Sequence, residues 1–278
     1  MLQEWLQEEN GVSILEEELC GCRVTTVQVQ TAQAAVRLGK EPGTYITIMT
    51  DAPLDGRAKI RGAGECLALV LDRVLRPYHQ GRLCICGLGN NICTADALGP
   101  EVTCRLPLHF LATAVGLQGN FQTVYSFAPG TLATNNIPTE KIVSGVVHAV
   151  EASCVLLVDA IVTRDPERLF QTIQVSTAGG TSPFTAEQKA DWSILGLPVI
   201  SVGVPVAIPV NALWSHGADD GILLTSTMVQ DVIAASSTMI AYGIMRACWP
   251  TLTHDECFAL CKVGRDPMPC YPAYEDGM

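Results

Sequence analysis

The sequence predicts an α/β fold, a mostly parallel sheet with helices on both faces, and three observations carry that prediction. Apolar runs rich in β-branched residues alternate with stretches of helical periodicity, which implies right-handed crossovers between parallel strands. Two of those runs deliver an acid: residues 83–87 lead into Asp96, and residues 154–162 give out at Asp159. Open α/β sheets keep their chemistry at the carboxyl ends of strands. A composition of 48% hydrophobic, 16% charged and 6% aromatic residues in a 278-residue chain suits a large aliphatic core buried under both faces of a sheet.

Along the chain, residues 1–22 carry Glu4, Glu8, Glu9, Glu16, Glu17 and Glu18 around Trp5, Leu6, Ile14 and Leu15. That pattern predicts a short amphipathic helix or acidic arm ahead of a single domain over residues 23–278. Residues 24–29 and 45–49 are rich in β-branched residues and predict strands, with Pro42 and Gly43 punctuating the approach to the second. Leu67, Val70, Leu71 and Val74 recur at helical spacing after Gly62 and Gly64, and Pro77 ends that helix. The strand at 83 follows, then a helix opening at Asp96, then a strand over 123–127 closed by Pro129 and Gly130. Thr139 caps a helix running to about Val150, whose apolar stripe is Ile142, Val143, Val146 and Val147. Strands at 154–162, 171–175 and 198–204 and a long helix over 224–246 complete the series, and no internal repeat is evident.

Charge and cysteine usage exclude several functions. With 17 basic against 28 acidic residues the formal charge is −11, which opposes binding to a phosphate backbone, so nucleic acid is not an expected partner. Residues 193–218 lack charge and are long enough to span a bilayer, but Pro198, Pro205 and Pro209 favour a buried strand followed by loops, and no membrane is expected. The N-terminus carries no basic region followed by a cleavage site of small residues. Twelve cysteines without a secretory signal predict thiols in a reducing cytoplasm, most of them small core hydrophobes. Cys84 and Cys86, two apart on a strand, share a face.

Asp96 and Asp159 suggest a carboxylate pair. Peptide hydrolysis by carboxylates needs one ionised group to take a proton from water and one protonated group to return a proton, and two aspartates held together can divide those roles. The structural alternatives are a helix N-cap for Asp96 and a buried ion pair with Arg164 for Asp159. Asp51 also follows a strand, where a turn role is the simpler reading. Gly87, Gly89 and Asn90 lack the dinucleotide fingerprint and any phosphate-binding lysine, and read as turn residues that let the backbone approach a substrate. His254, Cys257 and Cys261 share a helix face with Cys270 beyond. Tail residues so loosely spaced are more often unliganded than zinc-bound, so no metal and no other cofactor is assigned.

Gly87-Leu-Gly-Asn-Asn-Ile-Cys-Thr-Ala-Asp-Ala-Leu-Gly-Pro100 resembles the signature of the spore germination proteases, and residues 40–48, 129–145, 158–161 and 196–205 follow in that family's order. The resemblance covers roughly residues 20–215. It implies an aspartic-type endopeptidase of small acid-soluble spore proteins, with a fold similar to that of hydrogenase-maturation endopeptidases. By motif, it carries the catalytic roles to Asp96 and Asp159. The cleft is expected to be lined by Gly87, Gly89, Asn90 and Asn91 and by Ser176, Thr177, Gly179 and Gly180. A cytoplasmic setting in the forespore or spore core and a homo-oligomer, a tetramer in that family, are further implications.

The chain also departs from the family. After the strand near residue 175 family members carry Asp-Thr-Gly followed by His-Pro-Gly-Ser-Gly, whereas residues 176–184 here are shorter and contain neither the acid nor the histidine. Asn211 lies where a neutral segment replaces the family's usual aspartate, and the N-terminal propeptide is expected to be missing or cut down, since the first predicted strand begins at about residue 24. These departures define two alternatives to the protease: a catalytically impaired relative that binds a protein or peptide, and a metal-using maturation peptidase.

Overall fold

The computed structural model describes residues 5–50, 57–107, 116–178, 191–213 and 221–263. The chain opens with two tight hairpins. Asn10 and Gly11 (φ 50° and 79°) join β1 (Trp5–Glu9) to β2 (Val12–Leu19), and Cys20 and Gly21 (φ 51° and 77°) join β2 to β3 (Cys22–Val29). Two consecutive left-handed residues make the hairpin turn whose twist matches that of paired strands. Residues 1–22 are therefore not an amphipathic helix: the described part is a β-ribbon, and the first strand starts near residue 5 rather than 24. The glutamates misled because an edge ribbon also tolerates charge on its solvent side. The Asn-Gly pair was the overlooked signal.

Next come α1 (Ala32–Leu38), whose first turn is capped by the Thr31 hydroxyl accepting from the Ala34 N–H, and β4 (Gly43–Met49). After α2 (Arg57–Leu75) follow β5 (Arg82–Gly87), α3 (Leu98–Thr103), β6 (Thr123–Phe127), α4 (Leu132–Asn135) and α5 (Thr139–Ala149). The chain continues through β7 (Cys154–Val162), β8 (Thr172–Ser176), β9 (Val199–Pro209), α6 (Val210–Leu213), β10 (Leu223–Leu224), α7 (Val229–Cys248) and α8 (His254–Val263).

Among the described residues the strands form one ten-stranded sheet in the order β1-β2-β3-β4-β8-β9-β7-β5-β6, with β10 added along β9. Only β6–β5, β5–β7 and β7–β9 are parallel; the other pairings are antiparallel. The class is α/β, but the sheet is mixed rather than mostly parallel. Two-residue loops can only join antiparallel neighbours, and β8, inserted between β4 and β9, runs antiparallel to both.

Helices lie on both faces. On one, Leu67, Val70 and Leu71 of α2, Ile240, Ile244 and Met245 of α7, and Leu98 and Val102 of α3 pack with Ile46, Ile48, Ile85, Leu156, Val158, Ile173 and Val202 from the sheet. On the other, Val143 and Val147 of α5, with Trp192 and Leu195 of a short 3-10 turn, cover Cys84, Cys86, Val155 and Leu157. That second cover reaches β7 and the first residue of β9, Val199, while α1 packs on Val29 and Tyr45. Between them the sheet face is a cleft of about 820 Å³.

Several boundaries moved because tertiary contact outweighs local pattern. The α2 helix runs straight through Gly62 and Gly64, since a Cβ on Gly64 would lie 2.5 Å from the Tyr242 ring of α7. Tyr242 then reaches Glu65, which also takes Arg246 at 3.0 Å. Thr139 is the first residue of α5 rather than its cap; Pro138 occupies the cap position. β9 continues through Pro205 to Pro209 instead of breaking into loops, and residues 223–224 add a strand before α7 begins at Val229. His254 contacts Tyr242 and Glu65, while Cys257 and Cys261 sit in the core; Cys270 lies outside the described residues. Described cysteines are free thiols, and only Cys20, Cys93 and Cys104 are exposed. No helix among the described residues is long and apolar enough to cross a membrane.

The tightest contact lies where β5 ends. A Cβ on Gly87 would stand 2.2 Å from the carbonyl oxygen of Gly99 in α3, and one on Gly99 would stand 2.2 Å from that of Leu88. Both obstacles are backbone, so the helix itself must move. Gly87→Ala is expected to destabilise the chain by about 3 kcal/mol or more, at the upper end of overpacking costs. Urea unfolding measures it, and a loss below about 1 kcal/mol would show that α3 can shift freely.

Candidate active site

The loop after β5 is built to return a carboxylate to the strand it just left. Leu88 keeps the β-ladder going by donating its N–H to the Val158 carbonyl at 2.8 Å. Gly89, at φ +117°, turns the chain, and the Asn90 N–H donates to the Asp96 carbonyl at 3.0 Å, closing the loop. Asn90 also accepts the Ile92 N–H on its side chain at 2.9 Å. The position a Cβ would take at Gly89 lies only 3.0 Å from Asp96 Oδ1 and 2.0 Å from its carbonyl oxygen, so glycine is required there and the Asp96 carboxyl folds back over the strand end.

Asp96 is not the helix cap expected as its structural alternative. It ends a 3-10 turn, Thr94–Asp96, while Ala97 occupies the cap position of α3 and α3 begins at Leu98. The turn packs on β7 and α7. Burial raises the Asp96 pKa to about 6, and the Asn90 N–H beside it pulls weakly the other way. The shift thus arises from desolvation, not from a neighbouring carboxylate.

Asp159 stands on the adjacent parallel strand. In the β5–β7 register Gly87 faces Val158, which places Leu88 and Asp159 one step further toward the same carboxyl rim as Asp96. Asp159 is not at the strand terminus, since β7 continues to Val162. It is 7% exposed and lines the cleft together with Leu88, Leu157 and Ile161. Cys86, on the neighbouring strand, is held well above the ordinary thiol range by burial, and the Asp159 charge pushes in the same direction. Arg164, the ion-pair partner considered from sequence, is exposed beyond the strand and absent from the salt bridges of the described residues.

Of the other residues expected at the site, Ser176 lines the cleft with Asp159, and its hydroxyl accepts the Ala178 N–H at 3.1 Å. The Thr177 hydroxyl accepts the Thr44 N–H at 3.0 Å and ties the end of β8 to β4. Gly87 and Gly89 make room for Gly99 and Asp96, as described above, while Asn90 is half-buried and Asn91 exposed on the loop. Gly179, Gly180 and Asp51 lie outside the described residues. Asn211 is in α6, directly after β9, at the same rim. Sequence reading missed the contribution of β3 and β4: Arg23, Thr25, Tyr45 and Thr47 all line the cleft. Their alternation with buried Val24, Ile46 and Ile48 was the signal available.

A protein-family model described as germination protease matches residues 2–222. The germination protease of Caldanaerobacter subterraneus subsp. tengcongensis is 34% identical over 209 residues, 71% of this chain and 63% of that protein. Those of a Geobacillus strain and of Priestia megaterium are 30% and 28% identical, over 75% and 76% of this chain and 59% and 60% of theirs. The chain therefore spans about 60% of the length of these relatives.

The raised pKa of Asp96 has a sign that can be checked. The folded chain holds this proton more tightly than the unfolded chain, where the group titrates near 3.8, so its stability is full below about pH 4 and is lost as pH rises through about 6. Asp96→Asn removes the charge and keeps the shape. After discounting for partial exposure, the variant is expected to be more stable than the parent by about 1–2 kcal/mol at pH 8, with the gap closing by pH 4. Urea unfolding at both pH values reads the difference; an equal gap at each would assign it to packing.

Proposed function

The chain belongs to the germination protease family, and from that premise we propose that it is an aspartic-type endopeptidase that hydrolyses peptide bonds in small acid-soluble spore proteins. The observation that carries this reading is that Asp159 lines a cleft from β7, while Asp96, in the turn after the adjacent parallel strand β5, folds back over the end of that strand at the same rim. A pKa of about 6 makes Asp96 a competent proton donor or acceptor near neutrality. One carboxylate takes a proton from the attacking water as its oxygen bonds to the scissile carbonyl carbon. The other carboxyl gives a proton to the departing amine as the C–N bond breaks, and the exchange is reset by solvent.

In this reading Ser176 and the loop from Gly87 to Asn91 border the bound substrate, and residues 177–180 continue that border. The proposed chemistry is carried by the two carboxyl groups alone, as the sequence resemblance implies. The fold kinship with hydrogenase-maturation endopeptidases, the forespore setting and a tetrameric assembly remain part of the proposal, drawn from the sequence resemblance. The second reading, a relative that binds spore proteins without cleaving them, is favoured by residues 176–184, which lack the acid and the histidine of the family's loop.

Incubation of the pure chain with small acid-soluble spore proteins, followed by mass spectrometry of the products, separates the readings. Cleavage is expected, with Asp96→Asn and Asp159→Asn each lowering turnover by at least about a hundredfold while the fold is kept. A chelator should leave the rate unchanged. A limb near pH 6 that disappears in Asp96→Asn assigns that aspartate: a rate falling toward acid makes it the base, a rate falling toward alkali the acid. Intact substrate across the pH range, with complex formation retained, would replace the protease by the binding relative.

A further inference from the structure

The cleft that holds Asp159 continues across five more strands in a single register row. Asp159 of β7 faces Gly203 of β9, Gly203 faces Gln174 of β8, Gln174 faces Thr47 of β4, Thr47 faces Thr25 of β3, and Thr25 faces Glu16 of β2. All six residues line the same cavity. The opposite face of these strands carries Val24, Ile46, Ile48, Ile173, Val175 and Val202, packed in the main core. Such alternation is ordinary for a sheet with one wet face. What is not ordinary is its enclosure: α1 contributes Leu38 to one wall, and the turn after β7 contributes Asp165 and Arg168 to another.

The chemistry of the row is uniform where it matters. Thr25, Thr47 and Gln174 are half-buried, and their side chains make no hydrogen bond to another described residue. Hydroxyl and amide groups each donate and accept, so they can satisfy peptide N–H and C=O groups whatever the side chains of the bound chain. Five strand spacings of ~4.8 Å make the row about 24 Å long, room for about seven residues of extended chain. A cavity that begins at the proposed catalytic Asp159 and runs on as a line of main-chain partners fits a polypeptide more closely than a compact small molecule.

We propose that the segment of the protein substrate on one side of the scissile bond lies extended across the strands, along the row from Asp159 to Glu16, with Thr25, Thr47 and Gln174 hydrogen-bonded to its backbone. The inference rests on the reading of Asp159 as catalytic and adds to it where the substrate runs and how long it must be. Short peptides of two or three residues are poor substrates because they cannot reach the row. Contacts of this kind hold the chain in place without touching the reacting bond, so their loss falls on KM rather than kcat.

The test uses the full chain and a fluorescein-labelled small acid-soluble spore protein, with binding read by anisotropy on the Asp159→Asn background and cleavage read on the Asp159 parent. Thr47→Val combined with Gln174→Met is expected to weaken binding about tenfold, and to lower kcat/KM by the same factor through KM, as two or three neutral hydrogen bonds would. Thr47→Ser, which restores the hydroxyl, keeps parental affinity. Thr25→Val gives a separate, smaller loss should the double variant fold poorly by circular dichroism. Unchanged affinity and KM in a chain that still binds and cleaves would overturn the row and leave the protease reading intact. A double variant that instead changes the sedimentation coefficient, with spore-protein affinity unaltered, would assign the cleft face to contact between copies and also overturn it. Weakened binding in a chain that never cleaves would uphold the row and give the cleft to the binding relative. No binding and no cleavage by the parent would remove the protease reading and this inference with it.

Discussion

The contact between Gly87 and Gly99 is the constraint on which the site depends. With no Cβ on either residue, α3 presses its first turn onto the backbone of β5 and β7, and the ten residues between strand and helix have nowhere to go but back over the strand end. Gly89 at positive φ and the Asn90–Asp96 backbone bond then fix that return. A side chain at any of these glycines would push the loop outward and carry Asp96 away from the rim. The geometry of the acid is thus set by close backbone packing, which tolerates less adjustment than a side-chain contact does.

The mixed sheet explains why there is a cleft at all. Its parallel part, β6, β5 and β7, is covered on both faces, by α2, α3 and α7 on one side and α5 with the Trp192 turn on the other. Beyond it, β9, parallel to β7 but antiparallel to β8, and the antiparallel strands β8, β4 and β3 are covered on one face and largely open on the other. Asp159 stands at the seam, where the helical cover stops and the open face begins. A doubly covered parallel sheet throughout would have buried this position, and a purely antiparallel one would have offered no rim of strand ends for Asp96.

Electrostatics follow from the same placement. Asp96 is costly to ionise because it is folded against backbone at the sheet's edge, and burial rather than charge repulsion moves its pKa to about 6. A carboxyl kept where it weakens the folded state at neutral pH is the kind of arrangement found at functional sites, where stability is exchanged for reactivity. Cys86, also buried beside Asp159, is driven in the opposite functional direction: its thiol is held protonated and behaves as a packing group.

The sequence by itself determined the α/β class, most strands and helices, and the motif glycines and aspartates, because these rest on local periodicity and on residue types that few other environments use. Both aspartates were singled out as strand-end acids and tied together by a family resemblance, but Asp159 lies inside β7, which runs on to Val162, and Asp96 closes a turn beyond β5. What it left undecided was decided at long range. The N-terminal glutamates suit a helix or an edge ribbon equally, and only the pairing of β1 with β2 and of β2 with β3 settles them as strands. Gly62 and Gly64 read as a helix boundary until Tyr242, 178 residues beyond Gly64, is seen to need the space at Gly64. The insertion of antiparallel β8 between β4 and β9 set the sheet's mixed character, and with it the row from Asp159 to Glu16. Strand order is a property of pairings far apart in the chain, and no window of sequence contains it.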